Sequence, residues 1–224
     1  MSTQFTFDRE DYFTYEELKL LSNSDIPLIH FEIAPPQNYE EAKIALLSKE
    51  LLSGSLELTE SGIKIAHQLK EYCKHPYNIR FGDIHFSPSI SIENRYFLLS
   101  RFDENKFQIR IVDRAAVWSS ILDQYPFLMR EESSNDFIFR TIDDEALAII
   151  DNAGVNTITN AMELEIISVD AKQQHSIYQI YEQYGLLFMY YPDKKQTYNI
   201  HSSLIISMLF ESLGFNKEVG VANG

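Results

Sequence analysis

The chain has 224 residues, 45% of them hydrophobic and 23% charged, with 15 Phe, 13 Tyr and a single Cys. That composition supports a buried core, and it excludes a disordered chain, a disulfide framework and a linker-rich protein. Acids number 33 against 19 bases, a formal charge of −14, which excludes the broad basic footprint that phosphate contacts require. The imbalance is uneven: residues 1–75 carry 13 acids and 7 bases, 76–130 carry 6 and 7, and 131–224 carry 14 and 5.

Thr14-Tyr15-Glu16-Glu17 reads as a capping box opening a short helix that runs through Leu21 and ends near Ser22-Asn23, before Asp25-Ile26-Pro27 breaks the chain. Asn38-Tyr39-Glu40-Glu41 repeats the capping pattern. Ala42, Ala45, Leu46 and Leu52 then keep helical spacing up to Gly54, which has the character of a C′ residue. Thr59 caps a third helix, with Ile63, Ala66, Leu69 and Tyr72 as its apolar side and His75-Pro76 as its stop. From Tyr77 the period changes. Tyr96–Leu99 is a β-rich run, and across the polar turn Asp103–Lys106 the residues Phe107, Ile109 and Ile111 alternate with Gln108, Arg110 and Val112, which predicts a hairpin. A helix over 115–124 follows, stopped by Pro126. Phe137–Arg140 reads as a strand, and Asp143-Asp144-Glu145 opens an acid-started helix. Strands over 162–169, 185–191 and 197–201 then lead to an apolar helix from Ser202-Ser203 to Leu213-Gly214. The fold class expected is α+β in a single domain, residues 1–224. A mainly helical part (1–75) precedes a first sheet unit (76–130) and a second one with the C-terminal helix (131–224). The order strand, hairpin, helix occurs in both halves of an antiparallel sheet and raises a pseudo-two-fold repeat.

Local motifs for chemistry are missing. None of His30, His67, His75, His85, His175 and His201 stands at zinc spacing from another His or from Cys73. No nucleophile elbow, Walker loop, zincin motif or dinucleotide fingerprint is present. Neither Glu131-Glu132 nor Asp143-Asp144-Glu145 has the alternating oxygen ligands of a calcium loop. No catalytic, cofactor or metal residue is therefore assigned, and a non-enzymatic protein is expected. The start of the sequence lacks the charge and apolar pattern of a secretory signal, and no apolar run reaches the ~20 residues of a spanning helix. A cytoplasmic protein with no membrane insertion is the expectation. The alternative is a winged-helix regulator, with Tyr39–Leu52 as recognition helix, Ser53–Leu58 as wing and Leu58–Gly62 opening the next helix. Glu40, Glu41 and Glu50 outweigh Lys43 and Lys49 on that helix, a poor charge for a phosphate-lined groove.

Two features point to a protein partner. Six of the eight Arg residues (Arg80, Arg95, Arg101, Arg110, Arg114 and Arg130) lie in the central segment. Tyr178, Tyr181, Tyr184, Phe188, Tyr190 and Tyr191 crowd fourteen residues. Tyr and Arg are the residues that dominate protein interfaces. The expected contact surface is Tyr178, Tyr181, Tyr184, Phe188 and Tyr190, with Arg101 and Phe102 as a second patch.

With these elements in order, the chain resembles the EspG-type chaperones of type VII secretion and, among Gram-positive relatives, the EsaE-like chaperones. The resemblance is carried by Glu17–Leu21 before Ile26-Pro27-Leu28, by Ala45–Gly62, by the meander Phe97–Val112 leading into Val117–Leu122, and by the unit Tyr198–Leu213. It runs over most of the chain and is one of architecture. It implies a cytosolic, non-enzymatic protein that binds a helical WXG- or LXG-type secreted substrate, keeps it soluble and delivers it to the secretion machinery.

Overall fold

The computed structural model describes residues 12–31, 38–131, 139–142, 159–168, 174–183 and 185–213. The architecture is α+β, as expected. The chain divides into two compact units, one of residues 1–117 with 167–174, the other of 118–166 with 175–224.

Helix α1 (Tyr15–Ser22) opens on the expected capping box. Glu17 N–H donates to Thr14 Oγ1 at 3.3 Å, and Thr14 N–H donates to Glu17 Oε2 at 2.7 Å. The two bonds satisfy backbone donors that a helix start leaves free. Asn23, in the left-handed region at φ 55°, ends the helix. Helix α2 (Tyr39–Ser48) starts at Asn38, whose side chain accepts Glu41 N–H. It stops well before Gly54. Glu50 takes φ 57°, its N–H donates to Leu47 O at 3.0 Å, and Leu51 N–H reaches back to Leu46 O at 2.9 Å. This is a Schellman ending with Glu where glycine is usual, clipped by the buried pair Leu46 and Leu51.

Helix α3 (Glu60–Lys74) is capped by Thr59 and stopped at His75-Pro76. Its buried face is Gly62, Ile65, Ala66, Leu69 and Tyr72. Ile63, assigned to that face by spacing, is 56% exposed: the stripe is centred on Ile65, and Ile63 falls outside it.

The strands of the first unit run in the order β1-β5-β4-β3-β2, all antiparallel: β1 (Tyr12–Phe13), β2 (Tyr77–Phe81), β3 (Ile84–Pro88), β4 (Tyr96–Asp103) and β5 (Lys106–Val112). The expected β4–β5 hairpin is present, with Leu99 opposite Ile109 and Phe97 opposite Ile111. One sheet face carries Phe13, Phe97, Leu99, Phe107 and Ile109 into a core with Leu18, Leu21, Leu46, Leu51, Ile65, Leu69 and Tyr72 of the helical segments. Tyr72 stacks on Phe97 at 4.6 Å. Full burial of each such side chain contributes about 1.5–3 kcal/mol. The opposite face buries Ile79, Phe81, Ile84, Phe86 and Leu98. The β2–β3 hairpin escaped the sequence pattern because both faces are buried, so alternation vanishes. Its two-residue turn uses Gly82 at φ 55°.

Helix α4 (Arg114–Gln124) is capped by Asp113, whose side chain accepts Ala116 N–H at 2.8 Å. Pro126 then begins a short 3-10 turn, Pro126–Met129. Strands β6 (Phe139–Ile142), β7 (Thr159–Ser168), β8 (Gln174–Gln183), β9 (Leu186–Tyr191) and β10 (Gln196–Ile200) follow, in spatial order β7-β8-β9-β10-β6. Helix α5 (Ser202–Ser212) ends the described chain, burying Ile205 and Leu209. The helix expected at Asp143-Asp144-Glu145 and the first two residues of the strand expected over Phe137–Arg140 lie outside the described residues. No described helix is long and apolar enough to cross a membrane.

Candidate interaction surfaces

Arg101 and Phe102 lie where the β4–β5 register shifts, and the irregularity turns them to different tasks. The Arg101 guanidinium donates from Nη1 to His30 O at 3.0 Å, from Nη2 to Glu104 O at 2.8 Å and from Nε to Asp103 O at 3.3 Å. It also covers the rings of Phe31 and Phe107, 5.2 and 5.9 Å from their centroids. Arg101 is thus a clamp that holds the segment at His30-Phe31 to the hairpin. Phe102 is 56% exposed and meets Tyr12, 40% exposed, edge to face at 5.3 Å. Lys106 Nζ sits 4.0 Å from the Tyr12 ring centroid. The outward patch is therefore Phe102, Tyr12 and Lys106. Tyr12 carried no sequence signal, because a lone tyrosine before a cap has no periodic partner.

The patch rests on a firm base. In the β4–β5 turn the Asn105 side chain accepts Tyr15 N–H at 2.7 Å and donates to Glu16 Oε2 at 3.0 Å, joining positions 90 and 89 apart in sequence. Glu17, buried beside it, pairs with Lys49.

In the second unit the strand register separates the tyrosine cluster. Gln179 opposes Tyr190, Ile180 opposes Met189 and Tyr181 opposes Phe188. Opposed residues share a face, so Tyr181, Phe188 and Tyr190 lie on one side of the sheet and Tyr178 and Tyr191 on the other. Tyr178 and Tyr191, both half-buried, stack at 4.9 Å, and Lys194 Nζ stands 4.7 Å from the Tyr191 ring. Burial raises the Tyr178 hydroxyl pKa. Tyr181 is half-buried and stacks at 5.4 Å on Phe188, which is 1% exposed. Phe188 is thus a core side chain that supports Tyr181 from below. Tyr190 is half-buried, and Tyr184 lies outside the described residues.

Among the described residues no group of three His, Cys, Asp or Glu side chains could hold a metal. His67 stands 3.8 Å from Glu71 as a helical neighbour. A hydrogen-bond contact that no local motif announced joins His175 Nε2 to the buried Glu165 at 2.6 Å. Burial pushes the Cys73 thiol up, away from the thiolate form. Glu182 accepts from Arg130 Nη1 and from Asn160 Nδ2, each at 2.8 Å, a bracket within the second unit. An open groove of about 530 Å³ is lined by Lys19, Asn23, Asp25, Tyr39 and Lys43. Its lysines are engaged, Lys19 with Asp25 at 2.8 Å and Lys43 with Glu40 at 2.7 Å. These arrangements bind and brace, and no nucleophile, base and acceptor converge among them.

A family model described as "Domain of unknown function (DUF5081)" matches residues 7–220. The chain is similar to the type VII secretion system protein EsaE of Staphylococcus aureus strain USA300, with 44% identity over 210 residues, 94% of each chain. The same identity and coverage hold for EsaE of strain NCTC 8325 / PS 47.

Proposed function

The chain belongs to the DUF5081 family, and from that premise we propose that it acts in type VII secretion as a non-enzymatic chaperone or adaptor. It binds a helical WXG- or LXG-type secreted substrate in the cytoplasm, keeps it soluble and targets it to the secretion machinery, with no cofactor, nucleic acid or membrane insertion. The observation that carries the reading is the 44% identity, over 94% of both chains, to a protein named for that secretion system. The surface chemistry is in keeping with it. Phe102 and Tyr12 offer exposed rings, and Tyr178 and Tyr181 offer half-buried ones with polar tips. Each of these surfaces by itself presents rings of the kind that cover the apolar stripe of a helical hairpin that would otherwise aggregate. An excess of acids in the remainder keeps the complex soluble.

No observation favours the regulator reading. On α2 and the following loop Glu40, Glu41, Glu50 and Glu57 are all exposed, and these acids outnumber Lys43 and Lys49.

The test is co-expression with WXG- and LXG-type proteins of the host genome, followed by affinity purification. One of them co-purifies with the wild-type chain in the soluble fraction. Phe102→Ala combined with Tyr178→Ala and Tyr181→Ala reduces the yield of complex at least tenfold, about 1.4 kcal/mol or more. An undiminished yield from the folded triple variant removes these rings from the interface. Failure of every such protein to co-purify removes the chaperone reading itself.

A further inference from the structure

Strand β3 carries a polar side chain at each position that shares a face with the helical core. His85 opposes Leu99 and Ser87 opposes Phe97, two residues of that core. The same alternation runs past the end of the strand to Ser89 and Ser91, while Ile84 and Phe86 occupy the other face and are buried. On the neighbouring strand Arg80 opposes His85, and extending that register by one pair sets Asn78 opposite Ser87. Asn78 Nδ2 donates to His75 O at 2.9 Å, which brings the end of α3 to the same place. A polar seam therefore runs between α3 and the β2–β3 hairpin, inside the first unit.

At one end the seam satisfies itself. Ser89 and Ser91 donate from Oγ to Glu71 Oε2 at 3.4 and 3.0 Å, and Gln68 Nε2 donates to Ser91 Oγ at 3.3 Å. At the other end it does not. Asn78, His85 and Ser87 are 3%, 2% and 1% exposed. Asn78 Oδ1, His85 Nδ1 and Ser87 Oγ are closed to solvent and find no hydrogen-bond partner among the described residues, and the same holds for Gln68 Oε1. Each unsatisfied buried group costs about 1–3 kcal/mol, so four in one seam would together approach the stability of a whole domain.

The donor set selects what fills the seam. Asn78 Oδ1 and Gln68 Oε1 can only accept, the Ser87 hydroxyl can donate and accept, and His85 Nδ1 does either according to its tautomer. The guest must donate hydrogen bonds, which excludes a simple anion. It must also be uncharged, because a cation would meet Arg80 opposite His85.

We infer that this seam is a binding site for ordered water, bridged among Asn78, Ser87 and His85, with Gln68 Oε1 holding a further molecule. Water supplies the donors that the two amide oxygens need and accepts from the hydroxyl in turn. The site belongs to the fold of the first unit and stands whatever the chain binds.

The test has two arms on the full chain. In the first, a crystal structure of the wild type that resolves ordered water shows density within hydrogen-bond distance of both Asn78 Oδ1 and Ser87 Oγ. A dry seam, side chains that pair directly with one another, or a metal ion or organic molecule in that place overturns the inference. In the second, oxygen-17 relaxation dispersion counts long-lived water in wild type and Ser87→Ala, a change that removes one anchor and preserves the apolar packing around it. About one buried water per 27 residues sets the background, so losing one or two molecules lowers the amplitude by about 10–25%. An amplitude unchanged in Ser87→Ala overturns the assignment.

Discussion

His85 sits on β3 beneath the helices of the first unit, 2% exposed. Burial, with lesser contributions from Arg80, Arg101 and His30, holds its pKa down to about 3. The unfolded chain takes up that proton near pH ~6.5, and the folded chain refuses it until about pH 3. Stability from the neutral imidazole is therefore complete above pH ~6.5 and is lost as pH falls toward 3, by up to about 1.4 kcal/mol per pH unit. Thermal melts between pH 7 and pH 4 should show a steeper decline for the wild type than for His85→Leu. Equal slopes would assign the acid sensitivity to carboxylates instead. Burial also separates two phenylalanines that look alike in sequence. Phe188→Ala empties a core position and costs about 3–5 kcal/mol, whereas Phe102→Ala changes stability by less than about 0.5 kcal/mol. Urea midpoints of the two variants check the contrast, and a large loss for Phe102→Ala would make that ring a structural one.

At the junction of α2 and α3 a familiar substitution changes sign. Replacing a helical glycine by alanine normally adds about 1 kcal/mol. At Gly62 a Cβ would stand 2.1 Å from the Leu51 carbonyl oxygen, a backbone atom that cannot swing aside. Gly62→Ala should therefore destabilise the chain by about 1–3 kcal/mol in urea titration, and a stabilised variant would show that the junction gives way freely. Thr59→Ala removes the bonds to Gly62 N–H and Glu50 O and should cost about 1–2 kcal/mol by the same measurement. The contrast between Thr59 and Gly54 explains how far the sequence was legible. Caps act through neighbours three residues away, so Thr14, Asn38 and Thr59 announced their helices. Gly54 misled because Glu50 takes the left-handed position at the end of α2, with buried leucines supplying the energy that glycine usually saves. Strand β8 was hidden by tyrosines three apart at Tyr178 and Tyr181, a spacing that fits no sheet face. The division of the aromatic cluster between two faces depends on register, which no local window contains. Neither the exposure of Phe102 nor the commitment of Arg101 to three carbonyls is contained in a local window; both arise from the tertiary fold.

Over the whole chain the excess of acids sets long-range behaviour. At −14 the protein should give no mobility shift with duplex DNA at micromolar concentration and ~100 mM salt. A sequence-specific shift would restore the regulator reading. The Asn105 latch, finally, bears on time as well as on energy. The β4–β5 hairpin closes over a few residues and can form within microseconds, but the bonds from its turn to Tyr15 and Glu16 close a loop of about 90 residues. Closure on that scale carries a larger entropic cost and belongs late on the folding route. Asn105→Ala should then leave the refolding limb of a chevron nearly unchanged and raise the unfolding limb, making the turn a brake on unravelling from the amino-terminal side.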